Sequence, residues 1–377
     1  MLKSLSHYIR RLNHNRIDFL RQLRKDFLRL LINQKNPLSH ERPRSDIKSI
    51  VVLRLDGKLG DTITITGLLD DLFNAGYQIT IITREYQSFI YDYINTPITV
   101  LRISNLFSVL KVLFKLRSDK YHFLICTSHL LDPSSLLLAR YIKSYEKTVF
   151  LNKEFCFFDH HVCENFNNVH ITERYNLLLQ SIGLKTKGFV FKYNLQSKSN
   201  LHELYQTDFK LIKQNKIIIL NSFAGSSDRN LSQDLTEKII SEVLSVHQNH
   251  IVISIGSQSD YNNHLMKWKI NFSKKFGQKW CLLSCGDFAL NYLAVKNADL
   301  IITPDTAIIH LASALQKKII GIYRVASNHD EYPVVWAPLR PADDFRIIYA
   351  HNGQIDNFDT KLIRLYSCEL LQAKILD

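Results

Sequence analysis

From Ile47 onward, short runs of Ile, Val and Leu alternate with longer stretches whose apolar residues return every three or four positions. The short runs predict strands at Ser49–Leu55, Gln78–Thr83, His122–Cys126 and Thr148–Leu151. Between them, the longer stretches predict helices at Thr62–Asn74, Gln87–Ile94 and Asn105–Arg117. A second series starts at Lys216, with strands at Lys216–Asn221, Ile251–Ile255, Leu300–Thr303 and Lys318–Tyr323. Its helices are expected at Asp234–His247, Asn262–Lys275, Phe288–Asn297 and Ala307–Ala314. Strand alternating with helix implies parallel βαβ units. The polar, lysine-containing stretch Ser197–Gln214 separates the series and reads as an interdomain linker, and Thr360–Lys374 reads as a closing helix. The pattern favours an α/β fold of two doubly wound halves facing each other, with ligands beyond the carboxyl ends of the strands.

Residues 1–45 follow a different pattern. Leu5, Tyr8, Ile9, Leu12, Phe19, Leu20, Leu23, Phe27, Leu30 and Leu31 recur at helical steps. Nine Lys or Arg between Met1 and Lys35 face only Asp18 and Asp26, so this arm carries +7. Two roles fit such a basic amphipathic helix: lying on anionic lipid, or docking on the body of its own protein. Pro37–Asp46 reads as a linker. The expected division is therefore an arm over residues 1–45, one Rossmann-like half over 46–205 and a second over 206–377.

Composition narrows the function classes. The chain of 377 residues is 46% hydrophobic and 22% charged, ordinary for a folded protein and incompatible with disorder. A formal charge of +13 points to an anionic partner. No RNA- or DNA-binding motif is present and much of the excess sits in the arm, so nucleic acid is not the expected partner. Six cysteines without a Cys-x-x-Cys pair read as incidental thiols of a reducing compartment. No apolar run reaches about 18 residues and the N-terminus lacks a signal core, so a cytoplasmic location is expected.

Three loops carry candidate chemistry, each at the carboxyl end of a predicted strand. In Leu53–Thr64, Gly57 and Gly60 permit a tight turn around Lys58, and Asp61 falls at a helix start. Asp61 suits two roles there, a helix cap or a carboxylate that takes a proton from a sugar hydroxyl. In Asn221–Ser232, Gly225, Ser226, Ser227 and Arg229 read either as a solvated turn or as an anion cradle with a fixed cation. In Thr303–His310, Asp305 and Thr306 open a helix whose N-terminus suits a phosphate, and His310 fits either a donor site or a satisfied core position. No Asp-x-Asp pair occurs, so a divalent metal is not expected, and cationic side chains and helix dipoles would offset diphosphate charge instead.

Taken in order, R-L-D-x-x-L-G-D, F-A-G-S-S-x-R-x-L-S and D-T-x-x-x-H-L-A-x-A-L resemble glycosyltransferase family nine, the ADP-heptose:lipopolysaccharide heptosyltransferases and their relatives. The similarity runs from about Ile47 to Tyr323, and Ile171–Leu184 resembles a further family segment. It implies a GT-B fold and an inverting, metal-independent transfer of heptose from ADP-heptose to a lipopolysaccharide or lipooligosaccharide core. By the same resemblance, Asp61 falls on the catalytic base, with Gly57, Lys58 and Gly60 on the acceptor side. Arg229 falls on the phosphate-contacting Lys, joined on the donor side by Ser226 and Ser227. Asp305, Thr306, Ala307 and His310 fall on the donor-binding motif. The chain departs from the family in having Arg229 for Lys, Leu231 and Ser232 for Trp and Pro, and Ala307 for Gly.

The expected partners are a nucleotide sugar and a phosphorylated glycolipid acceptor. The expected location is the inner face of a bacterial cytoplasmic membrane, held peripherally by its anionic surface. Two alternatives stand beside this reading: a relative that uses a hexose or N-acetylhexosamine donor, and a catalytically silent GT-B binding protein.

Overall fold

The computed structural model describes residues 26–27, 29–38, 48–128, 131–150, 154–162, 169–184, 195–196, 200–325, 332–351 and 353–372. The basic arm before Asp26, most of the Pro37–Asp46 linker, Ser197–Ser199 and the last residues of the expected closing helix lie outside them. Two six-stranded sheets, parallel throughout, are built from twelve strands.

The first sheet contains β1 (Ser49–Arg54), β2 (Gln78–Arg84), β3 (Ile98–Ile103), β4 (Tyr121–Cys126), β5 (Ser144–Phe150) and β6 (His160–Val162). Its order is β3-β2-β1-β4-β5-β6. The second contains β7 (Lys216–Asn221), β8 (His250–Ile255), β9 (Trp280–Leu282), β10 (Leu300–Pro304), β11 (Lys318–Arg324) and β12 (Phe345–Ala350), in the order β12-β11-β10-β7-β8-β9. Counted within each half, both orders are 3-2-1-4-5-6, the doubly wound arrangement whose ligand crevice opens where the order reverses. Those switch points fall between β1 and β4 and between β7 and β10.

Central strands such as KIIILN in β7 are buried on both faces, which explains their near-continuous apolar runs. Helices cover each face. On one side of the first sheet lie α1 (Leu59–Thr64), α2 (Thr66–Asn74) and α5 (Ile171–Ser181). On the other lie α3 (Leu106–Lys115) and α4 (Pro133–Tyr141). The second half contributes α6 (Gln206–Gln214), α7 (Gln233–Val246), α8 (Met266–Phe276), α9 (Phe288–Asn297), α10 (Ala307–Ala314) and α11 (Lys361–Leu371).

Several elements differ from the sequence expectation. The expected helix Thr62–Asn74 is two helices joined at Ile65, and Gln87–Ile94 is a 3₁₀ segment, Glu85–Tyr93. The expected linker Ser197–Gln214 is largely helical. Its α6 buries Asp208 and Ile212, with Asp208 accepting from Ser284 N at 3.1 Å and Ser284 Oγ at 2.6 Å. A polar stretch therefore becomes a packed element, because two residues one helical turn apart carry its contacts.

The halves meet through an apolar seam. Ile63, Ile90 and Tyr93 of the first half share a core with Leu290, Leu293 and Leu311 of the second. Phe288 packs edge-on against Phe89 at 5.1 Å and Tyr93 at 5.3 Å, ring centre to ring centre. This seam fixes one wall of the cleft against the other.

Candidate functional site

A cavity of about 700 Å³ lies at the switch points, lined by both halves. The loop after β1 contributes Gly57, Lys58, Gly60 and Asp61, and the loop after β7 contributes Gly225 and Arg229. Asp305, Thr306, Ala307 and His310 come from the end of β10 and the start of α10. Ten of the twelve sequence-expected residues are thus brought to one space. Ser226 and Ser227 are exposed and do not line it, and Ser226 Oγ is turned to the Asp228 carboxylate instead.

The β1 loop is held open by its own geometry. Gly57 has φ +75°, and a Cβ there would sit 1.8 Å from the Tyr86 hydroxyl, which donates to Gly57 O at 2.9 Å. Only glycine meets both conditions. Gly60 marks a close approach of the halves. A Cβ on it would lie 2.9 Å from His310 Cδ2 and 3.4 Å from Ala307 Cα, so α1 and α10 meet because Gly60 has no side chain.

Asp61 does not cap a helix. The N-cap of α1 is Lys58, and Asp61, in the first turn, is 6% exposed. Its Oδ2 ion-pairs with Arg54 Nη2 at 3.0 Å, and Asp56 Oδ2 meets the same nitrogen at 2.9 Å. Arg54 is completely buried, and its Nη1 donates to Thr127 O at 3.0 Å and Tyr175 Oη at 3.4 Å. Burial works against the charge on Arg54, but Asp56, Tyr175 and Asp61 outweigh it and hold its pKa above the ordinary value. Burial also pushes the Asp56 carboxyl up to about 6, against the pull of Arg54. Arg54 and Asp56 fall within the R-L-D-x-x-L-G-D motif, yet neither was expected to have a role of its own. Their signal was an arginine placed at the end of an otherwise apolar strand.

Across the cleft, Arg229 lies on a 3₁₀ turn and reaches Asp305. Its Nη1 donates to Asp305 Oδ2 at 2.8 Å and to Asp305 O at 3.0 Å. Burial raises the Asp305 carboxyl to about 6 while Arg229 pulls it down, so near neutral pH the two form an ion pair. Thr306 is the N-cap of α10, its Oγ1 accepting from Ile308 N at 3.1 Å and from Asn221 Nδ2 at 3.2 Å. That leaves the N-terminus of α10 aimed at the cavity beside a cation, the arrangement that attracts an anion.

His310 is buried and packs edge-on against Trp336 at 5.8 Å. Burial, aided by His170, lowers its pKa to about 3, so the ring is neutral. The substituted motif positions find structural work as well. Leu231 is buried in the core and Ser232 caps α7, accepting from Leu235 N at 3.2 Å.

Other parts of the wall were not singled out from sequence, among them Phe223, Gly256, Ser257, Asp260, Phe288 and Asn291. Gly256 and Ser257 follow β8, at the same carboxyl end as the loops that were identified, and Ser257 with Asp260 forms a capping box. Among the described residues, no group of three or more His, Cys, Asp or Glu is placed to hold a metal ion.

Two doubly wound halves closed on one shared cavity make this a GT-B protein. The sequence model of glycosyltransferase family 9 (heptosyltransferase) matches residues 109–356. The chain belongs to that family and is a heptosyltransferase-like glycosyltransferase. The match spans Arg229 and Asp305–His310 and begins after the Asp61 loop. A protein of Escherichia coli (strain K12), "Putative lipopolysaccharide heptosyltransferase 4", is 23% identical over 330 residues, covering 85% of this chain and 87% of its own. The crystal structure of the glycosyl transferase family 9 from Veillonella parvula DSM 2008 superposes with a TM-score of 0.72 at 14% identity, covering 88% of this chain and all of that one. E. coli heptosyltransferase WaaC with ADP superposes at 0.63 with 12% identity, covering 86% and 98%.

Proposed function

We propose that this enzyme transfers heptose from ADP-heptose to the core of a lipopolysaccharide or lipooligosaccharide acceptor, with inversion at the anomeric carbon and without a metal ion. One observation carries the reading: Asp61 of the first half and Arg229 with the α10 N-terminus of the second line the same cavity. A single displacement needs a base on the acceptor and an anion site for the leaving group, and these come from opposite walls. Further support comes from the E. coli relatives, one named for lipopolysaccharide and one solved with ADP.

In this mechanism the acceptor hydroxyl enters from the Gly57–Gly60 side and gives its proton to Asp61 as its oxygen attacks the anomeric carbon. The bond from that carbon to the diphosphate oxygen breaks, and its electron pair leaves with the nucleoside diphosphate. Arg229, the Thr306 hydroxyl and the first amides of α10 stabilise the charge that develops there. The diphosphate competes with Asp305 for Arg229, so the cation is held in position before the donor arrives. His310, kept neutral by burial, packs against α1 and adds no charge to the site. The acceptor's lipid places the enzyme at the cytoplasmic face of the membrane as a peripheral protein. Among the described residues no helix is long and apolar enough to cross a membrane.

Donor identity is tested by calorimetry with ADP, UDP and GDP, and with their sugars, in metal-free buffer. ADP and ADP-heptose are expected to bind preferentially. A preference for UDP or GDP would move the enzyme to another nucleotide sugar, and no binding at all would put the silent-shell reading ahead. In the same assay, Arg229→Ala should weaken ADP binding about 10- to 100-fold, the scale of a lost charged hydrogen bond. Arg229→Lys should retain most of the affinity. Unchanged affinity in the alanine variant would remove Arg229 from the anion site.

A further inference from the structure

α3 is apolar on both its faces. Val109 and Val112 point into the core, while Leu106, Phe107, Leu110 and Phe114 face outward. Phe107 is 78% exposed and Phe114 is 65% exposed. Large apolar side chains clustered on the outer side of a helix, with only lysines among them, present a surface for a partner. Beside it, α3 and α4 enclose a groove of about 470 Å³ lined by Leu110, Leu113, Phe114, Leu137, Tyr141, Arg117 and Lys143. Among the described residues, no carboxylate lines this groove. Exposed Lys111, Lys115 and Lys120 extend the basic rim, and Asp119 is the one acidic residue between Asn105 and Lys120.

The chain's N-terminal segment joins the body on this flank. Ile32 is buried in the core shared with Val109, Leu136 and Leu138, and Arg140 Nε donates to Ile32 O at 3.1 Å. Just before it, Phe27, Leu30 and Leu31 are exposed, Leu30 at 87%. The residues that precede them in sequence carry the basic, apolar-periodic pattern.

We infer that the outer face of α3, with the α3–α4 groove and the exposed side chains of Phe27, Leu30 and Leu31, docks on an anionic lipid bilayer. Phe107, Leu110 and Phe114 insert at the headgroup boundary while the lysines and arginines lie among the phosphates. Charge decides between occupants. The chain's own arm is +7 and a second copy of the chain is +13, so either would bring like charge against a basic rim. An anionic bilayer brings the opposite charge over the whole face. α3 and α4 start at the carboxyl ends of β3 and β4 and run away from them, so Phe107 lies toward the cleft end of the first half, while Phe114, Arg117, Tyr141 and Lys143 lie toward its opposite end. The inference extends the reading of a membrane-embedded acceptor by naming the surface that meets the membrane.

The test is co-sedimentation of the full chain with vesicles of phosphatidylcholine, with and without phosphatidylglycerol, in the absence of donor and acceptor. The wild-type chain is expected to sediment with the anionic vesicles and much less with the neutral ones. Phe107→Ser/Phe114→Ser and, separately, Lys111→Glu/Lys115→Glu should each lower anionic-vesicle partitioning about tenfold or more, each cation near the surface accounting for roughly fivefold. Both variants should keep the wild-type melting temperature and ADP affinity. Wild-type sedimentation by both variants overturns the proposal, as does equal binding to neutral vesicles. A dimer in light scattering that Phe107→Ser/Phe114→Ser dissolves would make the face a self-interface and also overturn it. Since no donor is present, failure here leaves the transfer reaction untouched, and failure of the nucleotide assay leaves this face standing.

Discussion

Asp61→Asn is expected to lower transfer about 10²- to 10⁴-fold, the range a positioned general base contributes. The amide keeps the shape of the carboxylate but cannot take the acceptor's proton. Folding should survive, because Arg54 keeps its ion pair with Asp56 at 2.9 Å and its hydrogen bond to Thr127 O at 3.0 Å. Donor affinity should stay within about twofold, since the anion site lies on the opposite wall. The measurement is single-turnover transfer from the nucleotide sugar to a truncated core acceptor, with the melting temperature and ADP affinity recorded alongside. Retained turnover would end the base assignment. Asp56→Asn is the control that keeps the question sharp, because Asp56 shares the same guanidinium nitrogen yet does not line the cavity. Should turnover vanish in the Asp56 variant and persist in the Asp61 variant, the base is Asp56.

The central strands could be read in the sequence and the edge strands could not. β1, β2, β4 and β5 of the first sheet and β7, β8, β10 and β11 of the second were each expected within a few residues of their ends. The strands missed were β3, β6, β9 and β12, which are the four sheet edges. The cause is physical. A central parallel strand is covered by helices on both faces and flanked by strands on both sides, so it becomes an uninterrupted apolar run. An edge strand is short or interrupted by polar side chains that blunt its open side. ITVLRI in β3 places Thr99 and Arg102 at exposed positions, and β6 and β9 are three residues each.

Site residues were legible where they follow central strands, because the ends of those strands could be located. The loops after β1, β7 and β10 were found, and their residues converge on one cavity except for the two serines. The wall after β8 was missed although β8 itself was expected, because Gly256-Ser257 carries no charge to draw attention. Contacts between distant segments could not be read at all. Arg54 with Tyr175, and Gly60 with His310, are separated by more than a hundred residues and meet only through the fold.

Arg54 is the residue whose loss should cost the most stability. It is 0% exposed and serves one buried and one half-buried carboxylate at once. Replacing it with leucine leaves Asp56 and Asp61 close together without the cation they share. Breaking a buried pair from one side typically costs about 3–5 kcal/mol. At about 2–4 °C per kcal/mol for a domain of this size, the first melting transition should fall by roughly 10 °C. Activity should change in a way that packing alone cannot produce. Without the guanidinium the two carboxylates repel each other and one retains its proton to higher pH. The pair as a whole then gives up its second proton only at higher pH, so the rising limb of the pH–rate profile should move upward in Arg54→Leu. Arg54→Lys should recover most of the lost melting temperature and move the limb back, since it restores the charge without the full set of hydrogen bonds. An Arg54→Leu chain with wild-type melting and an unmoved profile would mean that the carboxylates do not depend on it. A lowered melting temperature with an unmoved profile would leave Arg54 a structural counter-ion and separate it from the positioning of Asp61.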